Sequence, residues 1–239
     1  MESKKAETPK TQNPKTGNRQ LETGNSQPGT PKPRLSRFKT LIERLSFMGK
    51  KGPKNYFDRF ISLSSVEGPK YDYKQGFLSL GEDRTLNPEH FKEKIIRSIA
   101  ALANRGKKKK GFLFVGVSDD EDTAKRIMEM DGLKECPKVN GFHVVGIERE
   151  ARVLGVDLDE YLLRIASIIR RSELPDSLKA QVVTGMQTIN HEGLEILVIK
   201  VEGGNMPVWF EGAIYYRVGP SCQRAEPGEE INEIYRRFF

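Results

Sequence analysis

Cysteine and histidine are scarce in this chain, which limits the kinds of site it can form. Its 239 residues include only two cysteines, Cys136 and Cys222, which are far apart and belong to no CxxC pair. This argues against a disulfide framework and a zinc ribbon, and it favours a reducing compartment. The three histidines share no ligand spacing with either cysteine, so we expect no zinc site.

Long apolar runs are also missing. No stretch approaches the roughly 18 apolar residues of a membrane-spanning helix, and the N-terminus has no apolar core after its charges. We therefore predict neither a membrane span nor a secretory signal, and we expect an intracellular, cytoplasmic protein. The apolar share of 36% is low for a chain that is folded throughout, which predicts that part of it is disordered.

Positive charge is concentrated at the N-terminus. Residues 1–55 contain thirteen Lys and Arg against four Glu, a net charge of +9, whereas residues 56–239 contain 27 bases against 29 acids, a net charge of −2. Residues 1–34 have almost no large apolar side chains, so we predict a disordered basic arm. Such an arm would be attracted to nucleic acid or to an acidic membrane surface, or it would act only as a solubility tail.

Residues 35–55 predict a short basic amphipathic helix followed by a linker. The apolar residues Phe38, Leu41, Ile42 and Leu45 fall at helical spacing, with basic residues elsewhere on the helix. This helix could contact a membrane or a partner, or it could dock on its own domain.

Residues 56–239 predict a single α+β domain, with a mixed or antiparallel sheet packed by helices. Asn87 before Pro88 marks the start of one helix, and Asp157 with Glu160 forms a capping box for another. The predicted strands are Lys70–Phe77, Gly111–Val117, Phe142–Ile147, Ala180–Ile189, Leu194–Val201 and Ala213–Val218, and the predicted helices are Asn87–Asn104, Thr123–Met130, Asp157–Arg171 and Glu229–Phe238.

Three acids are predicted near one sheet edge: Glu67, Asp72 and Asp119. In a regular strand Glu67 and Asp72 would lie on opposite faces, so they converge only if the backbone turns at Gly68-Pro69. Together the three carboxylates could hold Mg²⁺ or Mn²⁺ and support phosphodiester cleavage. In the alternative reading they are structural acids that cap amides or pair with bases such as Lys74.

Five segments, in order along the chain, resemble the Schlafen AlbA_2 domain family. They are Glu67 with Asp72-Tyr-Lys74, Ala103-Asn104, Gly116-Val-Ser-Asp119, Val144-Val-Gly146-Ile and Tyr215-Tyr-Arg217-Val-Gly219. The chain departs from the family pattern where Asp72 replaces a Glu and Ser118 replaces an Asp. A run of four lysines also lengthens the loop after Asn104.

This resemblance implies a protein that binds nucleic acid, with RNA preferred over DNA. Nuclease members of the family cut structured RNA with three acids, whose positions here are Glu67, Asp72 and Asp119. A metal-dependent endoribonuclease is therefore one implied activity, in which Lys74 would stabilise the charged transition state. The alternative is a non-catalytic regulatory or scaffolding module that binds nucleic acid, a nucleotide or a protein partner.

The resemblance also bears on assembly and cofactors. Family nucleases enclose their substrate between two such lobes, and the single lobe in this sequence implies a homodimer. Relatives are sometimes labelled ATP-binding, although this chain contains no GxxxxGK[ST] phosphate loop.

Basic residues provide the candidate contacts to phosphate. Arg105, Lys107, Lys108, Lys109 and Lys110 place five bases in six residues, which would give affinity for a phosphate backbone through counterion release. The alternative is a solvated loop, and the case for binding assumes that the acids lie nearby. Arg217 could bind phosphate, or it could pair with a carboxylate.

Two adjacent aromatic residues are further candidates. Trp209 and Phe210 could stack a base, although an aromatic residue after Met206-Pro207 is more often a core anchor.

Overall fold

In the computed structural model of the chain, the residues described are 68–81 and 83–239. The predicted arm (1–34), the predicted helix and linker (35–55) and the candidate acid Glu67 lie outside these residues. Within them, the predicted α+β architecture is confirmed: mixed and antiparallel sheets are packed by helices.

The ten strands of the described residues form three sheets. They are β1 (Tyr71–Lys74), β2 (Lys110–Val115), β3 (Val117–Ser118), β4 (Lys138–Val139), β5 (Phe142–Val144), β6 (Met186–His191), β7 (Leu194–Glu202), β8 (Trp209–Phe210), β9 (Ala213–Val218) and β10 (Ser221–Arg224). The largest sheet has the order β1-β2-β7-β6, in which β1 and β2 are parallel and the other neighbours are antiparallel. The two smaller sheets, β3-β5-β4 and β10-β9-β8, are antiparallel throughout.

The helices are connected to these strands by short turns. They are α1 (Pro88–Phe91), which continues through a π-helical segment (Lys92–Ile96) into α2 (Arg97–Ala103), then α3 (Glu121–Asp131), α4 (Glu148–Val153), α5 (Leu158–Arg171), α6 (Asp176–Thr184) and α7 (Glu229–Arg236). Two predicted N-caps are confirmed: Asn87 accepts hydrogen bonds from the amides of Glu89 and His90, and Asp157 accepts one from the amide of Glu160. No helix in this part of the chain is long and apolar enough to cross a bilayer.

The four-stranded sheet buries both of its faces. One face packs against α2, α5 and α6 through apolar side chains that include Leu113, Leu197 and Ile199. The opposite face carries an aromatic layer that includes Tyr73 and Phe114 and packs against β3 and β5. Because β2 and β7 are central strands covered on both sides, they are almost continuously apolar.

The predicted strand Gly111–Val117 is in fact two strands. Gly116 has a φ of +96°, which a residue with a side chain rarely adopts, and its carbonyl accepts hydrogen bonds from the amides of Val145 and Gly146. The chain therefore leaves the large sheet after Val115 and enters the small sheet at Val117. This turn brings the segments around Gly116 and Gly146 together.

Two predictions around residues 142–189 are wrong. The predicted strand Ala180–Ile189 begins with the end of α6, whose Leu178, Val182 and Val183 are buried at helical spacing, and only β6 is extended. The predicted strand Phe142–Ile147 ends at Val144, and the following charged residues form α4, which the sequence did not predict. In both places tertiary packing outweighed the β propensity of valine and isoleucine.

Candidate functional site

A polar cleft of about 490 Å³ lies where β1 and β3 end. Its walls come from the ends of these strands, the helical segment after Asn87 and the β9-β10 hairpin. The lining residues include Lys74, Gln75, Gly76, Glu93, Lys94, Ser98, Ser118, Asp119, Thr123, Arg217 and Cys222. Three of the predicted site residues, Lys74, Asp119 and Arg217, therefore share one cleft.

Asp72 lies behind this cleft and does not line it. Its side chain is 1% exposed and sits between two cations: Lys74 Nζ is 2.6 Å from Oδ1, and Arg217 Nη1 is 3.3 Å from Oδ2. Burial of a carboxylate is costly unless it is paired, and here both oxygens face a positive charge. The cleft is thus lined by the two cations, with the acid beneath them.

Arg217 joins two sheets. It projects from β9, the central strand of its sheet, and Nη2 donates a hydrogen bond of 3.0 Å to the carbonyl of Tyr71 on β1. Its side chain is 2% exposed. The pairing with a carboxylate that the sequence left open is the arrangement in the structure, and it fixes β1 against β9.

Like Glu93, Asp119 is an exposed acid that lines the cleft. The preceding Ser118 is buried and its hydroxyl donates to the carbonyl of Asp120, whose own side chain caps α3. Ser118 and Asp120 therefore form the turn and the helix cap, and neither of these hydrogen bonds involves the Asp119 side chain.

The described residues do not form a metal site by themselves. Within residues 68–81 and 83–239, no three His, Cys, Asp or Glu side chains lie close enough together to hold a metal ion. Asp72, which the resemblance makes a ligand, already has two cationic neighbours. The described residues therefore do not supply the set of three carboxylates that the resemblance implies for Mg²⁺ or Mn²⁺. A metal site that includes Glu67 stays a prediction.

The wall of the cleft after β1 is held by a buried pair on α4, Arg149 and Glu150. Glu150 accepts hydrogen bonds from the amides of Phe77 (2.9 Å) and Leu78 (3.1 Å), and from the hydroxyl of Tyr161. Arg149 donates to the backbone carbonyl (2.6 Å) and the side-chain oxygen (3.0 Å) of Gln75. A Cβ at Gly76 would come within 1.9 Å of Glu150 Oε1, so only glycine fits between these groups.

This pair belongs to a longer buried network of charges. Arg149 also donates to Asp131 at 2.8 Å, and Asp131 receives a second ion pair from Arg84. Burial opposes ionisation of Asp131, but the hydrogen bonds from Arg84 and Arg149 outweigh it and hold the pKa of its carboxyl below the usual 3.8. Burial and the adjacent Glu150 carboxylate raise the pKa of Tyr161 well above 10.0, so its hydroxyl remains a proton donor.

Asn104, from the Ala103-Asn104 motif, has a structural task. Its side chain is fully buried, donates to the carbonyls of Val208 and Tyr215 at 2.9 Å each, and accepts from the amide of Val208 at 2.6 Å. It therefore ties the end of α2 to the segment before β8 and to β9.

The basic loop, residues 105–110, has a fixed backbone and free lysine side chains. The amide of Lys107 donates to the carbonyl of Arg237 (3.2 Å), and that of Lys108 donates to the carbonyl of Gly203 (2.9 Å). Arg105 is half-buried and donates to the carbonyl of Lys110, whereas all four lysines are exposed. The loop thus presents four cations from an ordered scaffold.

The basic loop and the cleft lie at opposite ends of β2. Lys110 begins this strand and Val115 ends it, opposite Lys74 in the parallel pairing with β1. Five residue steps of about 3.3 Å put roughly 17 Å between the two ends. The assumption that the loop lies near the acids is therefore wrong for Asp119, because the parallel β1-β2 pair places the cleft that it lines at the far end of β2.

Several cleft residues were not predicted. Lys94 and Ser98 are four residues apart on one helical face, and Ser98 Oγ donates to the carbonyl of Lys94 at 2.7 Å. Their spacing of four residues beside the apolar stripe of the same helix was a usable signal. The roles of Arg149 and Glu150 in the cleft wall had no local signal, because the wall residues that they hold, from Gln75 to Leu78, lie more than 70 residues away.

Comparisons with known proteins give one family and two structures. No match among curated protein sequences reaches significance. One similar structure is the DIP2311 protein from Corynebacterium diphtheriae, which is 21% identical with a TM-score of 0.38. The match covers 66% of this chain, which thereby spans only 22% of that protein. The other is the N-terminal domain of a protein from Nitrosomonas europaea described as related to the ATP-dependent DNA helicase RecG. It is 17% identical with a TM-score of 0.40, and the match covers 75% of this chain and 96% of that domain.

The family model "Schlafen, AlbA_2" matches residues 67–226. This span is more than half of the chain and contains the five motif segments, from the Asp72 strand to the Arg217 strand. The chain therefore belongs to the Schlafen AlbA_2 family.

Proposed function

We propose that this chain binds nucleic acid, and that the basic loop at residues 105–110 supplies most of the electrostatic attraction from the folded part. The observation that carries this proposal is the group of four exposed lysines on a backbone fixed by Gly203 and Arg237. A fixed loop loses little conformational entropy on binding, so each phosphate contact keeps more of its free energy. The preference for RNA over DNA follows from the family resemblance.

The charges around the loop support this role. Among the described residues, none of the four lysines forms an ion pair with an acid. Lys70 directly precedes β1 at the same end of the sheet, and its ammonium lies 5.3 Å from the centre of the Tyr71 ring. Unpaired cations at one end of the molecule create the local field that attracts a polyanion, although residues 56–239 as a whole are slightly negative.

The geometry favours binding over cleavage. Of the two described acids, Asp72 is held by Lys74 and Arg217, and only Asp119 is free to contact a ligand in the cleft. The three carboxylates that the resemblance implies as metal ligands are thus not all available among the described residues. The endoribonuclease activity, its metal and the homodimer remain predictions, and we derive no catalytic step.

The test compares two triple variants of the full chain. One is Lys107→Gln/Lys109→Gln/Lys110→Gln, which spares Lys108 because its φ is +56°. The control, Lys134→Gln/Arg152→Gln/Arg171→Gln, removes three charges from other exposed positions. Fluorescence anisotropy with labelled RNA and DNA at low salt should show affinity at least about tenfold weaker for the loop variant, and little change for the control.

The same samples also test cleavage. Incubation of the wild type with folded RNA and Mn²⁺, followed by denaturing electrophoresis, should leave the RNA intact. Cutting that is lost in Asp119→Asn would show that the module is a nuclease. Equal binding by both triple variants would refute the role of the loop.

A further inference from the structure

Trp209 is the only tryptophan of the chain, and it lies at the surface. Trp209 is 44% exposed, whereas the adjacent Phe210 is 1% exposed and packs in the main core. The core-anchor role that the sequence suggested for this pair thus applies to Phe210. An indole left half in solvent is unusual, because burial of such a large apolar surface is favourable.

The indole is held in place on the surface. Trp209 lies on β8, opposite Ile214 of β9, and its Nε1 donates a hydrogen bond of 3.1 Å to the hydroxyl of Tyr235 on α7. The preceding residue, Val208, is fixed by Asn104. A ring that is hydrogen-bonded at its edge and carried on a fixed backbone loses little freedom when a base stacks on its face.

Trp209 is connected directly to the basic loop by two structural elements. The segment that leads to β8 begins at Gly203, which exchanges backbone hydrogen bonds with Lys108 and Lys109. The helix that carries Tyr235 ends near Arg237, whose carbonyl accepts from the amide of Lys107. The exposed ring is therefore linked to the basic loop by two short stretches of chain, Gly203 to Trp209 and Tyr235 to Arg237.

Negative charge beside the ring is neutralised. Glu211, two residues beyond Trp209, forms ion pairs with Lys92 and Arg97. On α7, Glu233 pairs with Arg237 at 3.0 Å. Phosphates approaching the indole therefore meet no unpaired acid at these positions.

We infer that Trp209 is a stacking platform for an unpaired base, so that the ligand of this surface is single-stranded nucleic acid. This inference rests on the proposed function, in which the loop lysines hold the phosphate backbone. An aromatic ring next to a basic track is the arrangement that binds single strands with little sequence preference. In a duplex both faces of each base are covered by its neighbours, so the ring gains nothing from base-paired regions.

The first test uses the tryptophan fluorescence of the full chain, excited at a wavelength that the seven tyrosines do not absorb, so that it reports on Trp209 alone. Three probes of about 12 nucleotides are titrated at low salt: a single strand, its duplex, and an abasic strand with the same phosphates. The single strand should quench the fluorescence. The abasic strand and the duplex should bind without quenching, and equal quenching by the abasic strand would overturn the inference.

The second test measures affinity by anisotropy for Trp209→Ala, with Leu163→Ala as a control at another exposed apolar side chain. Trp209→Ala should weaken single-strand binding by about 5- to 100-fold and leave duplex binding unchanged. Trp209→Phe, which keeps a stacking face, should retain most of the affinity. Unchanged single-strand binding by Trp209→Ala refutes the platform.

The outcomes separate the two proposals. If the probes bind and the loop triple variant weakens them, while Trp209→Ala has no effect, only the stacking inference fails. If neither single strand nor duplex binds to the wild type at low salt, the proposed function fails and the stacking inference fails with it.

Discussion

The carboxylate of Asp72 is shielded from solvent by its own counter-ions. Lys74, two residues along the same strand, was visible as a partner from the sequence, and the structure places its ammonium 2.6 Å away. Arg217 could not be identified as a partner from the sequence, because it is 145 residues away in the chain and reaches β1 only from β9. Local patterns predict a neighbour on the same strand, whereas burial depends on elements that meet only in the folded chain.

Substitution of the two described acids separates a structural role from a ligand-binding role. Asp72→Asn leaves Arg217 buried without a counter-ion, and should lower the free energy of unfolding by roughly 3–5 kcal/mol. Asp119→Asn, at an exposed position, should change it by less than about 0.5 kcal/mol. Urea denaturation followed by circular dichroism measures both, and equal stability of the two variants would refute the structural assignment of Asp72.

The buried ion pairs of Asp131 should make the stability of the protein depend on pH. Because Arg84 and Arg149 hold its folded-state pKa below the usual 3.8, its ion pairs contribute fully at pH values above 3.8. The contribution is lost as the pH falls below 3.8 through the lowered pKa, since the unfolded chain takes up the proton first. Asp131→Asn should therefore melt at a lower temperature than the wild type at pH 7. The difference in melting temperature between the two proteins should become smaller as the pH falls toward 3. If the difference in melting temperature stayed constant from pH 7 to pH 3, the ion pairs of Asp131 would not be the source of this stability.

Elements whose signals are local were predicted well. The helix that begins after Asn87, the N-cap at Asp157 and the hairpin turn before β7 all depend on neighbouring residues. By contrast α4 and the β2-β3 break were missed. Helix α4 was missed because it is short and charged. The break between β2 and β3 was missed because it depends on a distant contact, in which the amide of Gly146 donates to the carbonyl of Gly116.

The role of α4 as a support for the cleft wall can be tested by removing one charge. Glu150→Gln weakens three buried acceptor contacts and leaves Arg149 less well compensated, so it should cost roughly 3–5 kcal/mol of stability. Glu129→Gln, on the exposed face of α3, serves as the matched control and should have little effect. Hydrogen exchange of the Phe77 and Leu78 amides should accelerate in Glu150→Gln alone; unchanged protection would show that another group holds this turn.

At the level of the whole molecule, the cleft and the basic loop are separate surfaces at opposite ends of β2. Five bases close together in sequence were visible, but their distance from Asp119 depends on strand direction, which the spacing of residues does not specify. The family pattern identified the Asn104 and Gly116 segments correctly as parts of one domain. It did not show that the lysine run, which departs from that pattern, would lie at the other end of β2 from Asp119.

The basic residues at the N-terminus should make a second electrostatic contribution to the affinity for nucleic acid. Removal of residues 1–55 takes away a net charge of +9 and leaves a chain with a net charge of −2. Affinity for nucleic acid at low salt should fall, and the difference from the full chain should shrink as salt screens the charges. Equal low-salt affinity of the two chains would mean that these residues act only on solubility.

The salt dependence of binding tests the central claim most directly. For the wild type, the logarithm of the association constant for a single-stranded oligonucleotide should fall linearly with the logarithm of the salt concentration. The variant Lys107→Gln/Lys109→Gln/Lys110→Gln should reduce the magnitude of this slope by about 2 to 3, one phosphate contact for each lysine, while the control triple variant keeps the wild-type slope. An unchanged slope in the loop variant would contradict the account.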